Sequence, residues 1–237
     1  MGRQYGAQST YPTVRPLLLS DPIRKGTCMS LDESPSIKPT PDGPYLVNNL
    51  QRFSNREGTI EARATMALCR CGGSANKPFC DGTHAKIGFS SAKLEGRVPD
   101  KREDYEAEKI TIHDNRGICA HAGRCTDGLP SVFRLKQEPW IDSRAEPVDE
   151  IIETIRKCPS GALSYTVGGV EHRDEEGPAA IFVSPNGPYV ITGGPQLLDS
   201  PRGEGASTEH FTLCRCGGSK NKPFCDGSHW YNNFSDE

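Results

Sequence analysis

Residues 69–84 read C-R-C-G-G-S-A-N-K-P-F-C-D-G-T-H, and residues 214–229 read C-R-C-G-G-S-K-N-K-P-F-C-D-G-S-H. Each stretch places three cysteines and one histidine in the frame C-x-C-x8-C-x3-H, among small and turn-forming residues. Thiolate and imidazole are ligands for zinc and for iron–sulfur clusters. Cys69 and Cys71 stand two apart and can pinch one metal. Cys80 and His84 stand four apart, one turn of helix, and can pinch another. Asp81 suits the N-cap of that turn, because its carboxylate can accept from a free backbone N–H. Cys214 and Cys216, then Cys225 and His229, repeat the arrangement. Two pairs of ligands match the two irons of a [2Fe-2S] cluster, and four ligands together could also surround one tetrahedral zinc.

The repeat is larger than the loop. Asp42-Gly43-Pro44-Tyr45 predicts a turn into a strand over 45–50, and a second strand over 62–68 delivers Cys69. Asn186-Gly187-Pro188-Tyr189 opens the second copy in the same way, and residues 211–213 deliver Cys214. Both loops resemble the CDGSH iron–sulfur proteins, the NEET family. Ser74, Pro78, Cys80, Asp81, Gly82, Thr83 and His84 fill that family's motif. Ser219, Pro223, Cys225, Asp226, Gly227, Ser228 and His229 fill it again without departure. The resemblance implies one [2Fe-2S] cluster per motif. Cys69 and Cys71 would hold the inner iron and Cys80 with His84 the outer one. Cys214 and Cys216, then Cys225 with His229, would do the same. Because dimeric NEET proteins join two identical copies, it also implies a monomer whose two repeats pair as an internal pseudo-dimer.

The bulk properties agree with small, loop-rich modules rather than one large core. The 237 residues include 25 glycines and 19 prolines, with a hydrophobic fraction of 34%. A net charge of −3 with acids and bases interspersed excludes a basic stripe, so no nucleic-acid partner is expected. No apolar run approaches the roughly 18–20 residues that cross a bilayer, so no membrane anchor is expected. Nine of the ten cysteines fall in metal-type groups, which favours a reducing compartment over disulfides. Cys28 stands outside every frame and reads as a small structural residue. The expected location is cytoplasmic, or the mitochondrial matrix for a eukaryotic source, since Arg3 and Arg15 without acids hint weakly at a presequence.

The expected class is α+β: two small β-rich CDGSH modules flanking a ferredoxin-like domain. The expected divisions are an extended segment over 1–40, modules over 41–92 and 179–237, and the middle domain over 107–168. Residues 93–106 and 168–178 are charged and read as linkers. In the middle unit, residues 109–113 alternate like a strand. Val148, Ile151, Ile152 and Ile155 keep helical spacing after Pro147, and 163–167 reads as a closing strand. Cys119, Cys125 and Cys158-Pro159 sit at the joints. This unit resembles a single-cluster bacterial-type ferredoxin, in the divergent mono-cluster 4Fe-4S branch. Set against C-x2-C-x2-C-x3-C-P, Ala122 replaces the second cysteine and Leu129 the fourth, while Pro130 is kept. Three thiolates imply either a [3Fe-4S] cluster or a [4Fe-4S] cluster with another ligand, for which His121 is the nearest candidate.

Other residues read more plainly. His113, His172 and His210 lie outside any ligand frame and read as structural or solvent-facing. Arg70, Arg215, Lys77 and Lys222 sit beside ligands and read as solvated charges, as donors to cluster sulfides or as contacts to an acidic partner. Trp140 reads as packing. No nucleophile motif, phosphate loop or dinucleotide fingerprint occurs. The expectation is therefore a one-electron carrier rather than an enzyme, with a redox protein partner. The alternative is a cluster storage, delivery or sensing protein with an apo-acceptor partner.

Overall fold

The computed structural model describes residues 34–236. Cys28, Arg3, Arg15 and most of the N-terminal segment lie outside the described residues.

The first repeat runs β1 (Ser36–Pro39), β2 (Tyr45–Asn48), β3 (Arg52–Asn55), β4 (Gly58–Thr59), β5 (Thr65–Leu68) and a one-turn helix α1 (Thr83–Lys86). The middle unit follows with β6 (Arg102–Glu106), β7 (Thr111–Asn115), α2 (Arg124–Gly128), α3 (Val148–Ile155), β8 (Leu163–Val167) and β9 (Val170–His172). The second repeat has β10 (Ala180–Val183), β11 (Tyr189–Thr192), β12 (Gln196–Leu197) and β13 (Phe211–Leu213), and ends in a 3-10 turn over Ser228–Trp230. Asp42 (φ 45°) and Asn186 (φ 48°) take the left-handed conformation in the β1–β2 and β10–β11 turns, where short polar side chains tolerate it. The α+β expectation holds in its coarser form: small β-rich units with few helices.

Three sheets form, in the orders β12-β1-β2-β5, β13-β11-β10-β3-β4 and β6-β7-β8-β9. The first two show how the repeats combine. Strand β3 leaves the first repeat and pairs in parallel with β10 of the second, Arg52 opposite Ala180. Strand β12 leaves the second repeat and pairs in parallel with β1 of the first, Gln196 opposite Ser36. The exchange is reciprocal and relates the repeats by an approximate twofold axis. It unites their apolar faces in one core, in which Ile37, Tyr45, Val47, Phe53 and Leu68 meet Ile181, Tyr189, Ile191, Phe211 and Leu213. Burial at every second position, as in β2 and β11, is what a half-buried strand needs.

The middle unit is an antiparallel sheet backed by α3, whose Ile151 and Ile155 meet Ile112, Phe133 and Leu163 in a second core. It is longer than the spacing suggests at both ends. The charged stretch expected as a linker over 93–106 ends in β6, sequence REDYE, which pairs with β7 along its whole length. The second expected linker contains β9, where His172 stacks on Tyr165 with centroids 4.9 Å apart. Both are edge strands at the sheet's margins, so their hydropathy gives them away poorly. Trp140 is half-buried against Phe133 and Tyr105, a packing role. His113 is buried, with Nδ1 2.7 Å from Asp104 Oδ1 and Nε2 2.8 Å from Thr166 Oγ1, and His210 Nδ1 lies 2.9 Å from Ser207 Oγ.

Candidate metal centres

Strand β5 ends at Leu68 and delivers Cys69 and Cys71 with their sulfurs 3.9 Å apart. The loop turns back so that Cys69 N–H donates to Pro78 O and Cys80 N–H donates to Ala67 O. Cys80 therefore lies beside the strand that carried Cys69. Gly82 (φ 84°) reverses the chain into α1, which brings His84 Nδ1 to 3.4 Å from Cys80 Sγ. The second loop repeats this geometry: Cys214 and Cys216 sulfurs at 3.8 Å, Cys225 Sγ and His229 Nδ1 at 3.4 Å, and Gly227 at φ 81°.

Asp81 does not occupy the N-cap; Gly82 does, without a side-chain bond of its own. Asp81 still serves the turn from one position earlier. Its Oδ1 accepts from Thr83 N–H and its Oδ2 from Ala75 N–H, and the Thr83 side chain together with these amides holds the carboxyl below its ordinary range. Asp226 makes the equivalent bonds to Ser228 and Lys220.

Backbone amides aim at the sulfurs. Gly73 N–H donates to Cys71 Sγ and Gly82 N–H to Cys80 Sγ, with Gly218 and Gly227 doing the same for Cys216 and Cys225. Such bonds stabilise negative charge on sulfur and tune a bound metal. Burial works the other way on the unliganded thiols. It raises Cys71 and Cys225, and it pushes Cys119 and Cys125 to about 12. The exception, Cys216, falls to about 6 because Cys214 donates to it. Mostly neutral, buried thiols are poor nucleophiles, and a metal that displaces their protons supplies the missing stabilisation.

The donors come in pairs. Among the described residues no group of three or more His, Cys, Asp or Glu side chains is gathered tightly enough for a single metal ion. One tetrahedral zinc needs four donors at one point.

The two sites are clamped to each other. Tyr45 of the first repeat donates through its hydroxyl to Cys214 O and Pro223 O of the second, both at 2.9 Å. Tyr189 returns the bonds to Cys69 O and Pro78 O at 2.9 and 3.0 Å. Cys71 and Cys216 face each other as an isolated bridge. A Cβ on Gly72 would lie 2.7 Å from Cys216 O, and one on Gly217 would lie 2.5 Å from Cys71 O, so neither position admits a side chain. Arg70 and Arg215 are buried rather than solvated. Arg215 donates to Gly187 O and Ser184 O and pairs with Asp236, while Arg70 donates to Thr40 O. Each tethers its cysteine loop to the turn that opens its own repeat. Lys222 is also buried, its Nζ donating to Ser219 O, whereas Lys77 stays half-exposed.

In the middle unit Cys119 follows a short 3-10 turn, Cys125 lies in α2 and Cys158 follows α3. The three thiols interact with one another electrostatically, and His121 N–H donates to Cys119 Sγ at 3.4 Å. The ring of His121 packs on Gly227 of the second loop: a Cβ at Gly227 would come within 3.0 Å of its Cβ and Cδ2.

Family profiles agree with this division of the chain. The profile described as "Iron-binding zinc finger CDGSH type" matches residues 42–85 and 186–230, over both paired-donor loops. The chain carries two CDGSH-type iron-binding domains. Between its two CDGSH segments, the profile described as "Divergent 4Fe-4S mono-cluster" matches residues 105–168. The "Uncharacterized protein YjdI" of Escherichia coli K12 is 43% identical over 61 residues, which is 26% of this chain and 80% of that protein. The protein of the same description from Escherichia coli O157:H7 gives the same values. No solved structure matches. No helix among the described residues is long and apolar enough to cross a membrane.

The paired side chains lie in the frames that the sequence marks, but the residues that join the two loops are not marked there. Tyr45 and Tyr189 were legible only as strand openers. Their identical place after Gly-Pro in both repeats was the available signal.

Proposed function

We propose that this CDGSH protein is a multi-centre, one-electron carrier. Cys69, Cys71, Cys80 and His84 would hold one [2Fe-2S] cluster, and Cys214, Cys216, Cys225 and His229 another. Cys119, Cys125 and Cys158 would hold a [3Fe-4S] cluster. The alternative, a [4Fe-4S] cluster with His121 as fourth ligand, is less well supported because that ring packs on Gly227. When bound, such clusters exchange single electrons with little movement of their ligands.

The observation that carries the reading is the paired-donor geometry: Cys/Cys and Cys/His pairs at 3.4 to 3.9 Å in both loops. Around them the chain supplies amide–sulfur bonds. Neutral imidazole in place of one thiolate lowers the negative charge at each CDGSH site. The chain thereby favours a higher potential there than at an all-cysteine site.

Electron paramagnetic resonance with iron and acid-labile sulfide analysis tests this. An oxidised [3Fe-4S] signal alongside silent oxidised [2Fe-2S] centres is expected, with the latter signals appearing on reduction. Zinc without sulfide would refute it. A second reading, delivery of a cluster to an apo-acceptor, is favoured by one observation: Cys80 and His84 are only partly buried. Incubation with an apo-ferredoxin decides between them, since transfer of absorbance to the acceptor supports delivery.

A further inference from the structure

The two CDGSH loops differ in only two of sixteen residues, at Ala75/Lys220 and Thr83/Ser228. Their burial differs far more. Asn221, Lys222, Phe224, Cys225 and His229 are all buried, His229 being 4% exposed. Their counterparts Lys77, Phe79, Cys80 and His84 are half-exposed, and Asn76 is open to solvent. Residue identity does not explain this.

The middle unit does. His121, held at φ 52°, lays its ring on Gly227, between Cys225 and His229. Asn221 Nδ2 donates to Gly117 O at 2.7 Å, in the turn just before Cys119. Leu94, on the chain leading into the middle unit, donates its N–H to Lys220 O at 2.9 Å. Gly82, the counterpart of Gly227, has nothing within 4 Å of its Cβ direction. One cysteine loop of the middle unit therefore sits as a lid on the second CDGSH loop, and among the described residues none covers Gly82 of the first loop in this way.

We propose that the two repeats do different jobs: the second CDGSH site is an inner one, sealed by His121 and adjoining the middle cysteine site, and the first is the outward site through which acceptors are reached. The proposal rests on the iron–sulfur reading above. It makes His121 a covering residue and not a ligand of the middle centre. Packing of His121 this close favours a glycine at 227, because a Cβ there would come within 3.0 Å of His121 Cβ and Cδ2.

The test uses the whole holoprotein, reduced without oxygen and mixed with sulfonated bathophenanthroline, while the [2Fe-2S] signals are followed. Two phases of equal amplitude are expected, about tenfold apart in rate, because access to the covered site waits on local opening. His84→Cys, which alters the spectrum of the first site, should mark the fast phase. His121→Asn removes the ring while tolerating the positive φ, and should draw the slow phase toward the fast one. His121→Phe keeps a ring and should retain both the slow phase and the middle-site signal. Asn221→Ala, which removes a separate contact of the lid, should accelerate the slow phase as well.

A single phase in the native protein overturns the proposal. So does a slow phase that both His121→Asn and Asn221→Ala leave untouched, or one that carries the His84→Cys spectrum. Loss of the middle-site signal in His121→Phe also overturns it, by making His121 a ligand. Protein without acid-labile sulfide would overturn the iron–sulfur reading itself, which is a separate and visible outcome.

Discussion

Replacing Tyr45 by phenylalanine should damage the other repeat more than its own. The ring is fully buried, and burial raises its hydroxyl well above the ordinary range, so it stays a proton donor at any working pH. That proton is shared between Cys214 O and Pro223 O, each 2.9 Å away. Pro223 O keeps a second donor, the Cys214 N–H at 2.8 Å. The Cys214 carbonyl loses this one. Phenylalanine fills the same space, so no cavity opens, and the loss reduces to one under-satisfied buried carbonyl, about 1–3 kcal/mol. Urea unfolding of the holoprotein would measure the total. Hydrogen exchange would locate it, with faster exchange over 214–225 than over 69–80. Tyr189→Phe should give the mirror result, because its hydroxyl serves Cys69 O and Pro78 O. The clamp would be refuted if each variant loosened only its own repeat. A cost below about 0.5 kcal/mol, the range of ordinary surface substitutions, would refute it too.

Three further outcomes follow from other parts of the molecule. Gly72→Ala and Gly217→Ala should each cost about 3 kcal/mol or more, from left-handed strain plus collision with a carbonyl that cannot retreat. Gly96→Ala, at φ 69° with open space around it, should cost only the strain of about 1 kcal/mol, and denaturant midpoints will show whether the two classes separate. Asp114 is 2% exposed and burial raises its pKa to about 7, so its neutral form is favoured in the fold. The resulting stability is full below the unfolded value near 4 and is lost as pH rises through 7, on the order of 4 kcal/mol. Asp114→Asn should therefore be more stable than the native chain at pH 8, with the gap about halved at pH 5.5 and closed near pH 4; melting temperatures showing a pH-independent gap would contradict this. His84→Cys and His229→Cys should each lower the potential of their own site, read by redox titration, because a thiolate adds negative charge.

Much of the chemistry was legible in short stretches. The CDGSH ligand frames, the Gly-Pro-Tyr strand openings and the helix over Val148–Ile155 each depend on neighbours within sixteen residues. The closing strand Leu163–Val167 was legible for the same reason, since alternation and turn residues act locally. Strands β6 and β9 were hidden because edge strands expose most of their side chains, and a sequence such as REDYE then looks like a linker. Arg215 was misread as a solvated charge because nothing near it in sequence shows the carbonyls of Ser184 and Gly187 waiting for it.

The residue order alone therefore settled that this chain carries two paired-donor loops and a three-cysteine unit, since ligand chemistry is written in spacing. It could not show that β3 and β12 trade places, that Tyr45 and Tyr189 hold each other's loops, or that one loop is sealed and its twin left open. Those features arise from pairs of residues more than a hundred positions apart. No local periodicity encodes which distant surface will cover a site. That is set only when the middle unit packs against the second repeat.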